Sequence, residues 1–489
     1  MKIVIAAFFI LFHTTTIFCQ RQVASMPFTF DEQSLKNGRY GIFCQENPTD
    51  HSFSCVLKNG SNISYTLFNG KNELVKKIDV TIDMESPLGG KSSRIHSGMI
   101  NGTAHVYVCK KTDTEGAVFA MQTIDYNTGE ITNKELFTLD GEEIEAGAYT
   151  YDNRFYHISV LRNTESVTVR MVTPDGNVTS DVFTVTLPSF VGQTYIPDLS
   201  AALALSRPAL MMTPESEENF YYAGESRKIY PGKDIIHLVA NWRYFHAYVL
   251  TIDLSKKTTT AREFYPYKEQ IKYAENTPYL KSIIKDDKVF NLFMHEDKAD
   301  ITVHDLLSGE LLSLVTLPSD FSAFAAAPIG FRRNDDEQSL SQPKNFAKSL
   351  KSCWQTPCLA VVNNGNGFYE ISIGGHEVAP VYSKIVNGVE KEKNGPRYPR
   401  ANWGTPHYWE TWRHSARYEQ VVYKVMLDAK NFRLATDQKA TVAQPEKFQR
   451  LIQLKDRNTV TGNPFYLNNK PAAGYYKSKT NEFVIEVLD

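Results

Sequence analysis

The segment Arg397–Tyr418, RYPRANWGTPHYWETWRHSARY, concentrates side chains able to recognise a ligand. It holds Trp403, Trp409 and Trp412, three of the five tryptophans in 489 residues, together with His407, Tyr408, Arg413 and His414. Flat aromatic rings stack on the C–H faces of sugars, and Arg and His donate hydrogen bonds to hydroxyl, carboxylate or sulfate oxygens. Those seven residues form the expected ligand-binding set, with a glycan or an extracellular protein as partner. The competing reading is that the rings fill gaps between structural elements and the arginines stack on them. His407 and His414 stand seven positions apart with no carboxylate at ligand spacing, so no metal is expected there.

Catalytic signatures are sparse. The chain has no G-x-S-x-G elbow and no H-E-x-x-H helix; His295-Glu296 and His376-Glu377 lack the second histidine. Gly90-Lys91-Ser92 looks like the end of a phosphate loop, but Glu85 stands where the leading glycine belongs, and no cofactor is expected. Asp335-Asp336-Glu337 lacks the alternation of a calcium loop. Carboxylate pairs that cleave glycosides are defined by separation in space, so none can be chosen among 55 acidic residues. Catalytic residues stay unassigned. The leading expectation is a secreted binding module, and the alternative is an extracellular hydrolase acting on carbohydrate.

Compartment is read from the N-terminus and the cysteines. Lys2, the apolar run Ile3 to Phe12 and the polar break before Ile17-Phe18-Cys19-Gln20 predict a secretory signal over residues 1–19. Later in the chain no stretch reaches the ~20 uninterrupted apolar residues that span a bilayer; Arg207 and Pro208 interrupt ALALSRPALMM. The expectation is a secreted or extracytoplasmic chain without a transmembrane segment. Past Cys19, Cys44 and Cys55 flank a short loop, Cys353 and Cys358 bracket another, and Cys109 is left over. Two local disulfides, Cys44–Cys55 and Cys353–Cys358, are the expectation for an oxidising compartment. Lys plus Arg (53) and Asp plus Glu (55) nearly cancel, so no basic excess points to nucleic acid.

The elements that must position these residues repeat. A β-type run, a turn on Asp, Asn or Gly and a second β-type run recur with turn centres near 69, 127, 175, 255, 307, 365 and 430, about 60 residues apart. In 104–139, 152–187 and 286–317 three strands follow one another through short hairpins, with room upstream for a fourth. So small an antiparallel sheet has two apolar faces and needs neighbours on both sides. Convincing amphipathic helices are scarce; PEKFQRLIQL at 445–454 is the best candidate. The prediction is all-β: a β-propeller of seven blades of three to four antiparallel strands over residues 20–489. Loop insertions are expected near 188–233, 318–352 and 391–419. The last strand, 482–489, is expected to pair with an early segment such as MPFTF at 26–30.

Overall fold

In the computed structural model the repeated turn is organised by one aspartate. Oδ1 of Asp125 accepts the backbone N–H of Asn127 (2.8 Å) and Thr128 (3.4 Å), and Asp305 does the same for Leu307 (3.1 Å) and Ser308 (2.8 Å). Asp428 repeats it with Lys430 (2.8 Å) and Asn431 (3.1 Å). The residue four beyond the aspartate then bonds back to its carbonyl, as Gly129 to Asp125 at 2.7 Å and Gly309 to Asp305 at 2.9 Å. That residue must turn left-handed, with φ of 81° at Gly129 and 78° at Gly309, which suits glycine. The Ser308 N–H and hydroxyl, with the Lys288 ammonium, hold the Asp305 carboxyl down to about 2.

The structure describes residues 20–36, 40–83, 86–89, 93–112, 116–188, 199–204, 209–212, 224–242, 246–264, 279–294, 299–317, 329–331, 337–339, 357–386, 389–393, 412–438, 460–468 and 470–488. Among them lie seven antiparallel sheets in succession, a nearly all-β chain with the β-propeller fold. The predicted helix at 445–454 and the predicted leader at 1–19 fall outside the described residues. Two compact units divide the chain: residues 1–79 with 455–489, and residues 80–454.

The first unit holds two sheets. One joins the chain's two ends: β1 (Gln20–Pro27) pairs with β31 (Glu482–Leu488), followed by β30 (Lys470–Lys477) and β29 (Val460–Leu467). The register sets Met26 opposite Phe483 and Gln20 opposite Leu488, so the last strand does pair with an early segment. The short helix α1 (Glu32–Lys36) follows β1. The other sheet is β2 (Tyr40–Glu46), β3 (Phe53–Asn59), β4 (Asn62–Phe68) and β5 (Leu74–Thr81), in that order. Phe53 stacks on Phe68 with centroids 4.6 Å apart, and these rings share a core with Met26, Cys44, Phe465 and Phe483.

The second unit carries five sheets. Sheet C is β6 (Ser93–Asn101), β7 (Ala104–Thr112), β8 (Gly116–Asp125) and β9 (Glu130–Asp140). Sheet D is β10 (Glu143–Tyr151), β11 (Arg154–Leu161), β12 (Ser166–Val172) and β13 (Val178–Thr184). The helix α2 (Leu199–Ala204) leads into sheet E: β14 (Leu210–Met211), β15 (Arg227–Tyr230), β16 (Ile235–Trp242), β17 (His246–Asp253) and β18 (Thr258–Phe264). Sheet F is β19 (Tyr279–Lys285), β20 (Lys288–Met294), β21 (Ala299–Asp305) and β22 (Leu311–Leu317). Sheet G comprises β23 (Ile329–Phe331), β24 (Glu337–Ser339), β25 (Pro357–Asn363), β26 (Phe368–Val386), β27 (Val389–Lys393) and β28 (Trp412–Asp428).

Burial follows position within each sheet. Middle strands such as β11 and β20 are buried at almost every residue, on both faces, whereas the outer β9, β13 and β22 are mostly exposed. Neighbouring sheets therefore pack face to face. Met99, Val108, Phe119 and Phe155 fill the layer between C and D; Ile158, Val169, Leu203, Ile229 and Leu238 fill that between D and E with α2. One larger core, including Val249, Phe290, Ile301, Ile371 and Val425, runs through E, F and G. Apolar burial of this extent, at roughly 25 cal/mol per Å², is what sets such small sheets in place.

Candidate functional site

The densest group of ionisable side chains among the described residues sits where sheets C and D face each other. Glu143 and Glu145 fall two positions apart on β10, just before a bulge between Glu145 and Gly147. Glu145 accepts a hydrogen bond from His96 Nε2 at 3.0 Å and an ion-pair bond from the Lys110 ammonium. Burial alone would push its carboxyl up; the His96 bond and the Lys110 charge outweigh it and hold the group well below the usual carboxylate range. Glu143 is gripped by Arg170 through two contacts, 2.5 Å and 2.9 Å, and Ser159 donates to the same carboxylate. Such a fork matches carboxylate geometry.

Aromatic rings wall this group. Lys110 lies 5.5 Å from the Phe119 ring centroid and Arg170 5.1 Å from that of Phe137. Between these rings sits His157, fully buried, its centroid 4.7 Å from Phe119 and 5.2 Å from Phe137, and neither ring nitrogen has a hydrogen-bond partner. Burial, opposed by the Glu145 charge, pushes the imidazole down to about 3, so it is neutral at physiological pH.

A second polar group ties sheet E to sheet F. Lys228 Nζ on β15 donates to Glu225 O (2.7 Å) and Ser282 O (3.0 Å), while Lys281 Nζ on β19 reaches back to Gly224 O (2.6 Å) and Ser226 Oγ (3.1 Å). Burial, with Lys281 nearby, lowers Lys228 to about 7; Cys358 on β25 opposes the shift. In sheet G the buried Lys424 and Glu370 pair at 2.8 Å. No cluster of three or more His, Cys, Asp or Glu able to hold a metal occurs among the described residues.

The expected ligand set is only partly in view. Trp403, His407, Tyr408 and Trp409 lie outside the described residues. Trp412, Arg413 and His414 open β28, opposite Lys384, Ser383 and Tyr382 of β26. They belong to a strand, where a loop was expected, because the alternation of VVYKVML continues outward through Arg417-Tyr418-Glu419-Gln420. Alternation puts Trp412 and His414 on one face and Arg413 on the other.

Cys44 stands directly opposite Cys55 in the β2–β3 register, both buried, and no disulfide joins them in this structure. Cys358 is buried opposite Gly374, and Cys353 lies outside the described residues. The leftover Cys109 is buried on β7 as expected, its thiol 3.8 Å from Tyr107 O. Sequence reasoning missed the Glu143–Glu145 group. Its one local signal is Glu-x-Glu at the start of a strand that is otherwise apolar.

No protein-family model and no curated protein sequence matches the chain. Solved structures do resemble it. Prolyl oligopeptidase B from Galerina marginata is 10% identical, with a TM-score of 0.32 over 92% of this chain and 48% of its own. The dihydro-heme d1 dehydrogenase NirN is 9% identical, with a TM-score of 0.34 over 92% of this chain and 67% of its own. The β-propeller domain of the Trilobed protease from Pyrococcus furiosus is 8% identical, with a TM-score of 0.27 over 79% and 78%. This chain thus spans about half the length of the peptidase, and the likeness says nothing of activity.

Proposed function

We propose that this chain is a secreted β-propeller that binds a glycan or an extracellular protein and cleaves neither. Export rests on the leader read from Lys2 and the apolar run Ile3 to Phe12. In the oxidising compartment beyond it, Cys44 and Cys55 are the pair placed to form a disulfide.

The observation that carries binding over cleavage is the closure of Glu143 and Glu145. A glycosidase needs one carboxyl kept protonated near neutral pH beside a second that is ionised. Glu145 is held as an anion by His96 and Lys110, and Glu143 is occupied by Arg170 and Ser159. Neither is placed to protonate a leaving group. A protein partner is favoured by a separate observation: Leu307, Leu311, Leu312 and Leu314 are 67%, 44%, 36% and 40% exposed at the outer edge of sheet F. Of the outer strands β5, β9, β13, β18 and β22, only β22 has no charged residue, so it lacks the usual guard against partners.

A glycan array and affinity capture from the native extracellular fluid test the proposal, each run with the wild type, the Leu312→Asp/Leu314→Asp variant and a variant with Trp403, Trp409 and Trp412 changed to Ala. Binding that one of the two variants abolishes supports it and tells glycan from protein. Release of new reducing ends from arrayed polysaccharide, or no binding above a denatured control, overturns it.

A further inference from the structure

The long strands of sheet G carry a feature that composition hides. The pairing of β25 with β26 ends at Gly375, and that of β23 with β28 at Gln420. Beyond those points β26 and β28 run on together from His376–Gln420 to Lys384–Trp412, and β27 adds a third strand on the far side of β26. The register is unbroken. It aligns Lys391, Lys384 and Trp412 in one row, Glu392, Ser383 and Arg413 in the next, and Lys393, Tyr382 and His414 in the third.

In antiparallel strands, residues directly opposite each other share a face and successive rows alternate. The first and third rows therefore fall together, placing three lysines with Trp412, Tyr382 and His414. Continuing inward, the same face carries Tyr418 and His376 and no acidic residue. All four glutamates of the ribbon, Glu377, Glu390, Glu392 and Glu419, fall on the opposite face. A chain of net charge −2 thus segregates its charges within one ribbon.

We propose that this basic and aromatic face of the β27–β26–β28 ribbon binds acidic glycans, polysaccharides bearing uronate or sulfate groups. The inference rests on the binding-module reading above and names its ligand class. Ammonium groups in adjacent rows match anionic groups spaced along a sugar chain, and the rings supply stacking for the sugars between them. From Lys384 to Val378 the face runs roughly 20 Å, enough for a short oligosaccharide. Nucleic acid fits less well: it carries a charge every ~1.7 Å along its axis, and the acidic reverse face of so narrow a ribbon would repel its flanks.

The test is salt-dependent retention of the full chain on immobilised heparin, a polysaccharide with both uronate and sulfate. Lys384→Glu/Lys391→Glu/Lys393→Glu should weaken affinity at least tenfold and flatten the salt dependence. Trp412→Ala should weaken it without changing the salt slope. Glu390→Gln/Glu392→Gln, on the reverse face, should bind as well as the wild type. Thermal melts confirm that each variant is folded. Wild-type strength in the triple lysine variant overturns the proposal, as does equal binding of single- or double-stranded DNA. If the wild type ignores heparin but captures a neutral glycan or a protein, this inference falls and the binding-module reading stands. If it captures nothing, both fall.

Discussion

Glu145 and Lys110 meet across two sheets, the carboxylate on β10 of sheet D and the ammonium on β7 of sheet C, both mostly buried. Removing one partner of such a pair leaves the other as an uncompensated charge. Lys110→Met should therefore cost about 3 kcal/mol, whereas Lys110→Met/Glu145→Leu together should cost clearly less than the two single changes summed. Equilibrium urea unfolding of the four proteins measures the coupling. Additive losses would mean that the pair does not act as a unit.

The same carboxyl sets a pH dependence. Its folded value lies below the ordinary 4.5, so the stabilisation is complete above that pH and fades as pH falls beneath it. Glu145→Gln should be less stable than the wild type at pH 7, and the gap in Tm should close as the pH drops below about 4.5. A gap that stays constant down to pH 3 would assign the loss to packing.

His157 acts in a different window. Its folded value near 3 lies below the ordinary 6.5, so the unfolded chain takes up a proton first and stability declines as pH falls from 6.5. His157→Phe removes two buried nitrogens that have no partner and keeps a flat ring between Phe119 and Phe137. It should leave Tm at pH 7 unchanged or higher, and flatten the Tm profile between pH 6.5 and 4.5, a range above most of the Glu145 titration. A fall of several degrees at pH 7 would show that the nitrogens are satisfied in solution, as by an ordered water.

Most of the sheet pattern was legible because each outer hairpin announces itself with Asp, Asn or Gly at a left-handed turn. Strands read from 104–139, 152–187 and 286–317 match β7–β9, β11–β13 and β20–β22 within about two residues. The count of seven came out right through compensating errors. The centres near 365 and 430 both belong to sheet G, and the hairpin of the terminal sheet, between β30 and β31, was overlooked. Its turn uses Asn481 at φ 54° with no leading aspartate. The polar group between C and D was not legible at all. His96 and Lys110 lie 49 and 35 residues from Glu145, and only stacking of sheets brings them together.

Cys44 and Cys55 illustrate the limit from the other side, since a local guess and the register agree on who faces whom. Directly opposed antiparallel residues have Cα atoms roughly 4.5–5.5 Å apart, inside the range a disulfide accepts. Closing so short a loop adds up to about 3 kcal/mol. Non-reducing peptide mapping of the exported protein should recover the two cysteines as one linked pair. Both should resist alkylation after denaturation without reductant. Alkylation of both would mean that they stay thiols, and would remove one support for the oxidising compartment.

The terminal pairing makes the strongest demand on stability. β31 lies between β1 and β30, so it supplies backbone partners to both and places Phe483, Ile485 and Val487 in the core of its unit. Deleting 482–489 removes those side chains and exposes two strand edges at once. β1, whose partner in the sheet is β31, would be left with none there. The truncated chain should lose the melting transition of the first unit while residues 80–454, with cores of their own, keep theirs. Differential scanning calorimetry separates the two transitions. An unchanged melting profile would mean that the pairing of Met26 with Phe483 contributes nothing to the fold.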